Sequence, residues 1–135
     1  PQQQQVQNQP QVSALNAAIK EIDDQKLGYS MKRTCGTTDC SAFANNVMRK
    51  TYGVDIGGYT GSQQNAGRTV TDGKYQNGDL IFTSPDGGKR TGGISHVGIW
   101  NNGNVVDFSS KNGGGVNSTP MNQYYKPWKV QRVIS

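Results

Sequence analysis

The chain has 135 residues, 32% of them hydrophobic, and a formal net charge of +5 at neutral pH. That length fits one domain with a modest core, and no apolar run approaches the roughly eighteen residues that a membrane span needs. Its Lys and Arg residues are scattered and no aromatic-interleaved basic motif accompanies them, which argues against a nucleic-acid binder; the charge fits simple solubility first and attraction to a polyanionic surface such as a bacterial wall second.

Eighteen glycines imply many turns and short strands rather than a helical bundle. No signal peptide is visible, and the chain opens on Pro1 rather than methionine. It therefore reads as a piece of something longer, whose address is not encoded here.

Residues 1–12 are Gln-rich, with only Val6 and Val12 apolar, and read as a linker or tail that buries too little surface to order itself. A helix is expected from Ser13, a good N-cap, with Leu15, Ala18, Ile19 and Ile22 on one face. It should end near Lys26 to Gly28, where a glycine can take the left-handed cap conformation. A second helix is expected from Cys40 to Thr51, capped by Asp39 and followed by Gly53. Its buried face should carry Phe43, Ala44, Val47 and Met48.

Residues 53–78 are rich in Gly, Asn, Gln and Thr and should wander over the surface, with a short helix near Ser62 to Ala66. After the Asn77-Gly78 turn, alternation predicts strands at Asp79 to Ser84, Ser95 to Asn101, Asn104 to Ser109 and Lys129 to Ile134. Asn102-Gly103 between the middle two is a strong hairpin signal. Phe82, Trp100 and Phe108 read as core. Helices first and strands afterwards indicate an α+β fold with an antiparallel sheet.

The chemistry concentrates on few residues. Cys40 stands in the first turn of its helix, where unpaired N–H groups favour a thiolate over a thiol. His96, the only histidine in the chain, lies in a strand that could hold its imidazole against that sulfur. Thiolate plus imidazole is the minimum kit for acyl transfer through a thioester. A third group must accept the other ring N–H and fix the tautomer. Counting out from the Asn102-Gly103 turn places Asp107, a carboxylate in an otherwise apolar strand, near Val97 or His96. A slip of one residue would turn it to the other face and leave Asn104 or Ser109 as the orienting group.

The segments Thr38-Asp39-Cys40-Ser41-Ala42-Phe43, Asn77-Gly78-Asp79-Leu80-Ile81-Phe82 and Ser95-His96-Val97-Gly98-Ile99-Trp100 follow one another in this order. Together they resemble the NlpC family of papain-like cell-wall cysteine peptidases, whose pattern is Asp-Cys-Ser-Gly-Phe, Gly-Asp-Leu-hydrophobic-Phe and His-Val-Gly-Ile-Tyr. The resemblance covers about residues 13 to 134. It implies a papain-like fold with the nucleophile at a helix N-terminus. It also implies Cys40 as nucleophile, His96 as general base and Asp107 as the orienting third group. Tyr29 matches a tyrosine found upstream of the cysteine with its hydroxyl near the oxyanion; Ser41, beside the nucleophile, is grouped with it on the oxyanion and substrate side. The implied substrates are peptidoglycan stem peptides, cut at an amide bond without metal or cofactor. The implied setting is the periplasm, the cell wall or the outside of the cell; the Gln-rich tail ahead of a compact domain favours a module of a larger wall-crossing assembly.

Three departures stand out. Ala42 replaces the family's glycine, the Asn101-Asn102-Gly103 turn is one residue shorter than the common form, and Gly-rich residues 86–93 make a longer loop before His96. Cys35 lies five residues before Cys40, a spacing that could close a disulfide over the nucleophile as a reversible redox lock. Two other classes fit the same residues: a non-catalytic wall-binding module, and an acyltransferase using the same Cys and His on another acyl donor.

Overall fold

The computed structural model describes residues 2–30, 37–84, 96–110 and 114–134, with side chains from Ser13 onward apart from that of Thr37. Cys35, Ser95 and the loop of residues 86–93 lie outside the described residues. Helix α1 spans Gln2–Asp24, so it begins well before the expected Ser13. Glutamine is a good helix former, and a helix anchored at one end extends more easily than it nucleates. Leu15, Ala18 and Ile22 are buried and Ile19 is partly so, as the spacing predicts. At the C-terminal end it is Lys26, at φ +52°, that takes the left-handed conformation rather than Gly28.

Helix α2 spans Cys40–Tyr52. Asp39 is its N-cap with extended backbone, and its Oδ1 accepts the Ala42 N–H at 2.9 Å. Gly53 closes the helix at φ +69° and donates its N–H to the Arg49 carbonyl, while Arg49 and Lys50 sit favourably at the negative end of the helix dipole. Phe43, Ala44, Val47 and Met48 are fully buried, joining α1 to the sheet. The short helix α3, Thr60–Gln63, lies two residues ahead of its expected place.

Two short strands, β1 (Gly28–Tyr29) and β2 (Thr37–Thr38), pair in parallel and set Tyr29 beside Thr38, two residues before the helix-borne cysteine. The main sheet has six antiparallel strands in the order β3-β8-β4-β5-β6-β7. They are β3 (Arg68–Thr69), β4 (Leu80–Thr83), β5 (His96–Asn101), β6 (Asn104–Ser109), β7 (Gly115–Pro120) and β8 (Lys129–Arg132). The sequence patterns locate β4, β5, β6 and β8. They miss both edge strands: β3, an exposed pair of residues within the polar 53–78 stretch, and β7, whose Gly-Val-Asn-Ser-Thr-Pro run has no apolar alternation and is partly exposed.

The sheet's two faces differ. Leu80, Phe82, Val97, Ile99, Val106 and Phe108 face the helices and make the main core. Ile81, Val105 and Val130 face the other way, under Tyr75, Trp100, Met121 and Tyr124. Trp100 thus packs in this second cluster rather than in the main core.

Candidate active site

The Asn102-Gly103 turn, with φ of +51° and +95°, closes β5 and β6 so that Asn101 faces Asn104 and Ile99 faces Val106. This register sets Asp107 across from Gly98, not across from Val97 or His96 as the count along the sequence suggests. A two-residue loop closes on its flanking pair, so each step toward Asp107 is one step back toward His96. Strand alternation nonetheless puts His96, Gly98 and Asp107 on one face, with Gly98 contributing no side chain between the other two. The diagonal is short enough: His96 Nε2 and Asp107 Oδ2 lie 2.7 Å apart, both residues buried.

Cys40 reaches the same place from the start of α2. It is 5% exposed and free of any disulfide. Burial by itself disfavours the His96 imidazolium, but hydrogen bonds to Asp107 and to Cys40, and the charges of both, outweigh it. The result is a His96 pKa raised from 6.5 to about 9. With Nε2 engaged by Asp107, Nδ1 is the ring nitrogen left to meet the sulfur.

Side chains around the nucleophile fix its helix. Asp39 is buried as the cap, and Ser41 is buried with its hydroxyl donating to Asp39 Oδ1 at 3.3 Å. The Ser41 hydroxyl is thus turned into the cap. Gln63 is fully buried in α3, and its Nε2 donates to the carbonyls of Ser41 and Gly57, each at 2.8 Å. Sequence inspection misses Gln63, because one glutamine in a polar segment carries no pattern.

A cleft of about 320 Å³ opens onto the pair, lined by Tyr29, His96, Asp107, Asn117, Tyr124 and others. Tyr29 stacks on Phe108 with ring centroids 6.4 Å apart, so its ring is held at the cleft wall. Tyr124 is the second residue that the sequence does not reveal: its hydroxyl donates to Asp107 Oδ2 at 2.7 Å. It follows the 3-10 turn Met121–Gln123, in a stretch with no recognisable motif. Of the fallback orienting groups, Asn104 bonds Ser118, whereas Ser109 lines the same cleft and accepts from Asn117. Among the described residues no group of three or more His, Cys, Asp or Glu could hold a metal ion, and no helix is long and apolar enough to cross a membrane.

The family model described as the NlpC/P60 family matches residues 25–134. The chain belongs to the NlpC/P60 family. Two curated relatives are endopeptidases by name. The murein DD-endopeptidase MepS/murein LD-carboxypeptidase of Escherichia coli K12 is 29% identical over 113 residues, covering 82% of this chain and 55% of that protein. The probable endopeptidase NlpC homolog of Haemophilus influenzae is 28% identical over 112 residues, covering 80% and 56%. The chain thus spans just over half the length of these relatives. The NlpC/P60 fold is shared with solved structures. The peptidoglycan hydrolase RipB of Mycobacterium tuberculosis superposes with a TM-score of 0.67 at 26% identity, over 93% of this chain and 65% of that one. RipD of the same organism, described as a non-catalytic NlpC/P60 domain adapted to peptidoglycan binding, gives 0.66 at 16% identity, over 92% and 98%. The fold alone therefore does not decide between catalysis and binding.

Proposed function

We propose that this chain is a cysteine endopeptidase that hydrolyses an amide bond in peptidoglycan stem peptides. The observation that carries the reading is the convergence of Cys40, His96 and Asp107, with His96 Nε2 2.7 Å from Asp107 Oδ2 and Cys40 interacting with the same imidazole. A binding module has no need of a histidine held between a carboxylate and a buried thiol. The relative named as a murein DD-endopeptidase suggests the substrate class, and the one named as a probable endopeptidase agrees with the reaction type.

In this account Asp107 orients His96, and His96 takes the Cys40 proton or already holds it. The sulfur attacks the substrate carbonyl carbon, and the carbonyl π-electron pair moves to oxygen. The Cys40 backbone N–H, in the first helical turn where N–H groups lack intrahelical partners, and the Tyr29 hydroxyl stabilise that oxyanion. Collapse of the intermediate breaks the C–N bond while the imidazolium gives its proton to the leaving amine. Water, deprotonated by His96, then attacks the thioester, releasing the acid and restoring the thiol. Ser41 contributes by holding the cap that aims Cys40. The place of action is the periplasm, the wall or the medium, within a larger wall-crossing assembly.

Incubation of purified peptidoglycan with the reduced protein, followed by mass spectrometry of the fragments, tests the reading. New fragments whose masses sum to the parent plus one water are expected, and their masses identify the bond. Unaltered fragments with protein retained on the wall would instead favour the binding module. Fragments carrying a transferred acyl group would favour the acyltransferase.

A further inference from the structure

Asp107 Oδ2 receives two donors, not one. His96 Nε2 lies 2.7 Å from it, and the Tyr124 hydroxyl donates to the same atom at 2.7 Å. Tyr124 comes from the segment between the Met121–Gln123 turn and β8, so a third part of the chain closes over the carboxylate. Its ring packs with the cluster on the sheet's second face and meets Tyr125 edge-on, with centroids 5.3 Å apart. We propose that Tyr124 is a positioning residue for the reaction: it fixes which oxygen of Asp107 meets His96, and it moderates how strongly that oxygen draws on the ring. The proposal rests on the triad described above.

A carboxylate held by one bond can rotate about χ2, whereas a second donor on the same oxygen from a different direction leaves one orientation. The hydroxyl dipole also presents its positive end to Oδ2, so charge otherwise available to His96 is shared. Tyr124 is suited to a permanent donor role: its burial, then the Asp107 charge and their hydrogen bond, push its own pKa upward and keep the hydroxyl protonated. Among the described residues, the titratable groups facing His96 are Cys40 from α2 and Asp107 from β6. Tyr124 reaches it through Asp107, and Tyr29 lines the same cleft.

Tyr124→Phe tests this, because it deletes the donor and keeps the ring. His96 is the only histidine, so its imidazole NMR signals are unambiguous in the whole protein without any substrate. The His96 midpoint in Tyr124→Phe should rise by roughly half a pH unit or more, since the full charge of Oδ2 then falls on the ring. On muropeptides kcat should drop about three- to tenfold with KM little changed, the pattern of a lost transition-state alignment. Tyr75→Phe, which alters a tyrosine of the same cluster that packs on Trp100 at 6.5 Å, should move neither quantity. An unchanged or lowered midpoint in Tyr124→Phe overturns the proposal, as does an equal rise in Tyr75→Phe, which would indicate general loosening. The titration needs no turnover, so a protein that proves inactive on the wall would sink the peptidase reading and leave this measurement intact.

Discussion

Asp107 and His96 meet diagonally, two residues out of register, with Nε2 and Oδ2 2.7 Å apart across the position of Gly98. The pair depends on what Gly98 lacks. A Cβ there would collide with Val105 Cγ1 and stand 3.4 Å from Asp107 Cβ. Gly98→Ala should therefore push Val105 out of place and spread the diagonal. Denaturant melts should show a loss of about 1–3 kcal/mol, typical of overpacking. Activity should fall further than the remaining folded fraction explains. A variant with wild-type kcat would show that the diagonal tolerates a side chain.

Asp107→Ala leaves His96 without its partner in a buried site. Two results are expected: turnover reduced by about 10²-fold, within the range for a lost acid–base arrangement, and a His96 midpoint moved down from about 9. Near-wild-type turnover would remove Asp107 from the mechanism. Residual rate should exceed that of His96→Ala, because the imidazole itself is still present.

The raised pKa of His96 makes both activity and stability fall at high pH. The sign follows from linkage: a histidine whose folded pKa lies above its ordinary 6.5 stabilises the fold fully below about 6.5 and loses that contribution as pH rises through about 9. Leaving-group protonation fades over the same interval, so the alkaline limb of kcat should fall near pH 9. Chemical denaturation at about pH 6 and about pH 10 should show a larger drop for wild type than for His96→Ala. Equal drops in the two proteins would contradict the assignment.

Gln63 ties the nucleophile's helix to the loop that precedes α3 through two bonds of 2.8 Å, to the carbonyls of Ser41 and Gly57. Gln63→Leu keeps the volume and removes both donors, leaving buried carbonyls short of partners. A loss of about 1–3 kcal/mol in stability is expected from calorimetry or denaturant melts. Because Ser41 adjoins Cys40, kcat should also fall, with no change in the His96 midpoint. An effect on stability alone would make Gln63 a purely structural clamp.

Much of this arrangement was legible in the sequence, and the rest was not, for identifiable reasons. Asp39, Cys40 and the spacing of Phe43, Ala44, Val47 and Met48 define α2 because capping and 3.6-residue periodicity are local properties. The Asn102-Gly103 turn defines the β5–β6 hairpin for the same reason. The beginning of α1 is less readable, since glutamine suits both a helix and a solvated tail. Strand β7 carries no alternation, being a half-exposed edge that β6 recruits. Gln63 and Tyr124 act through contacts 22 and 17 residues away in sequence, on Ser41 and Asp107, and no local pattern announces such pairings. Ser41 shows the converse: adjacent to Cys40 in sequence, its hydroxyl turns into the helix cap.

The central claim is that the Cys40 sulfur forms the bond to substrate. Its most direct test is the turnover of purified soluble muropeptides by reduced wild-type protein and by Cys40→Ala, read as product by mass spectrometry, with circular dichroism confirming that both are folded. The account predicts product from wild type and a folded Cys40→Ala whose rate is at least about 10³-fold lower, as expected for loss of a covalent nucleophile. A folded Cys40→Ala that cleaves within tenfold of wild type would contradict it.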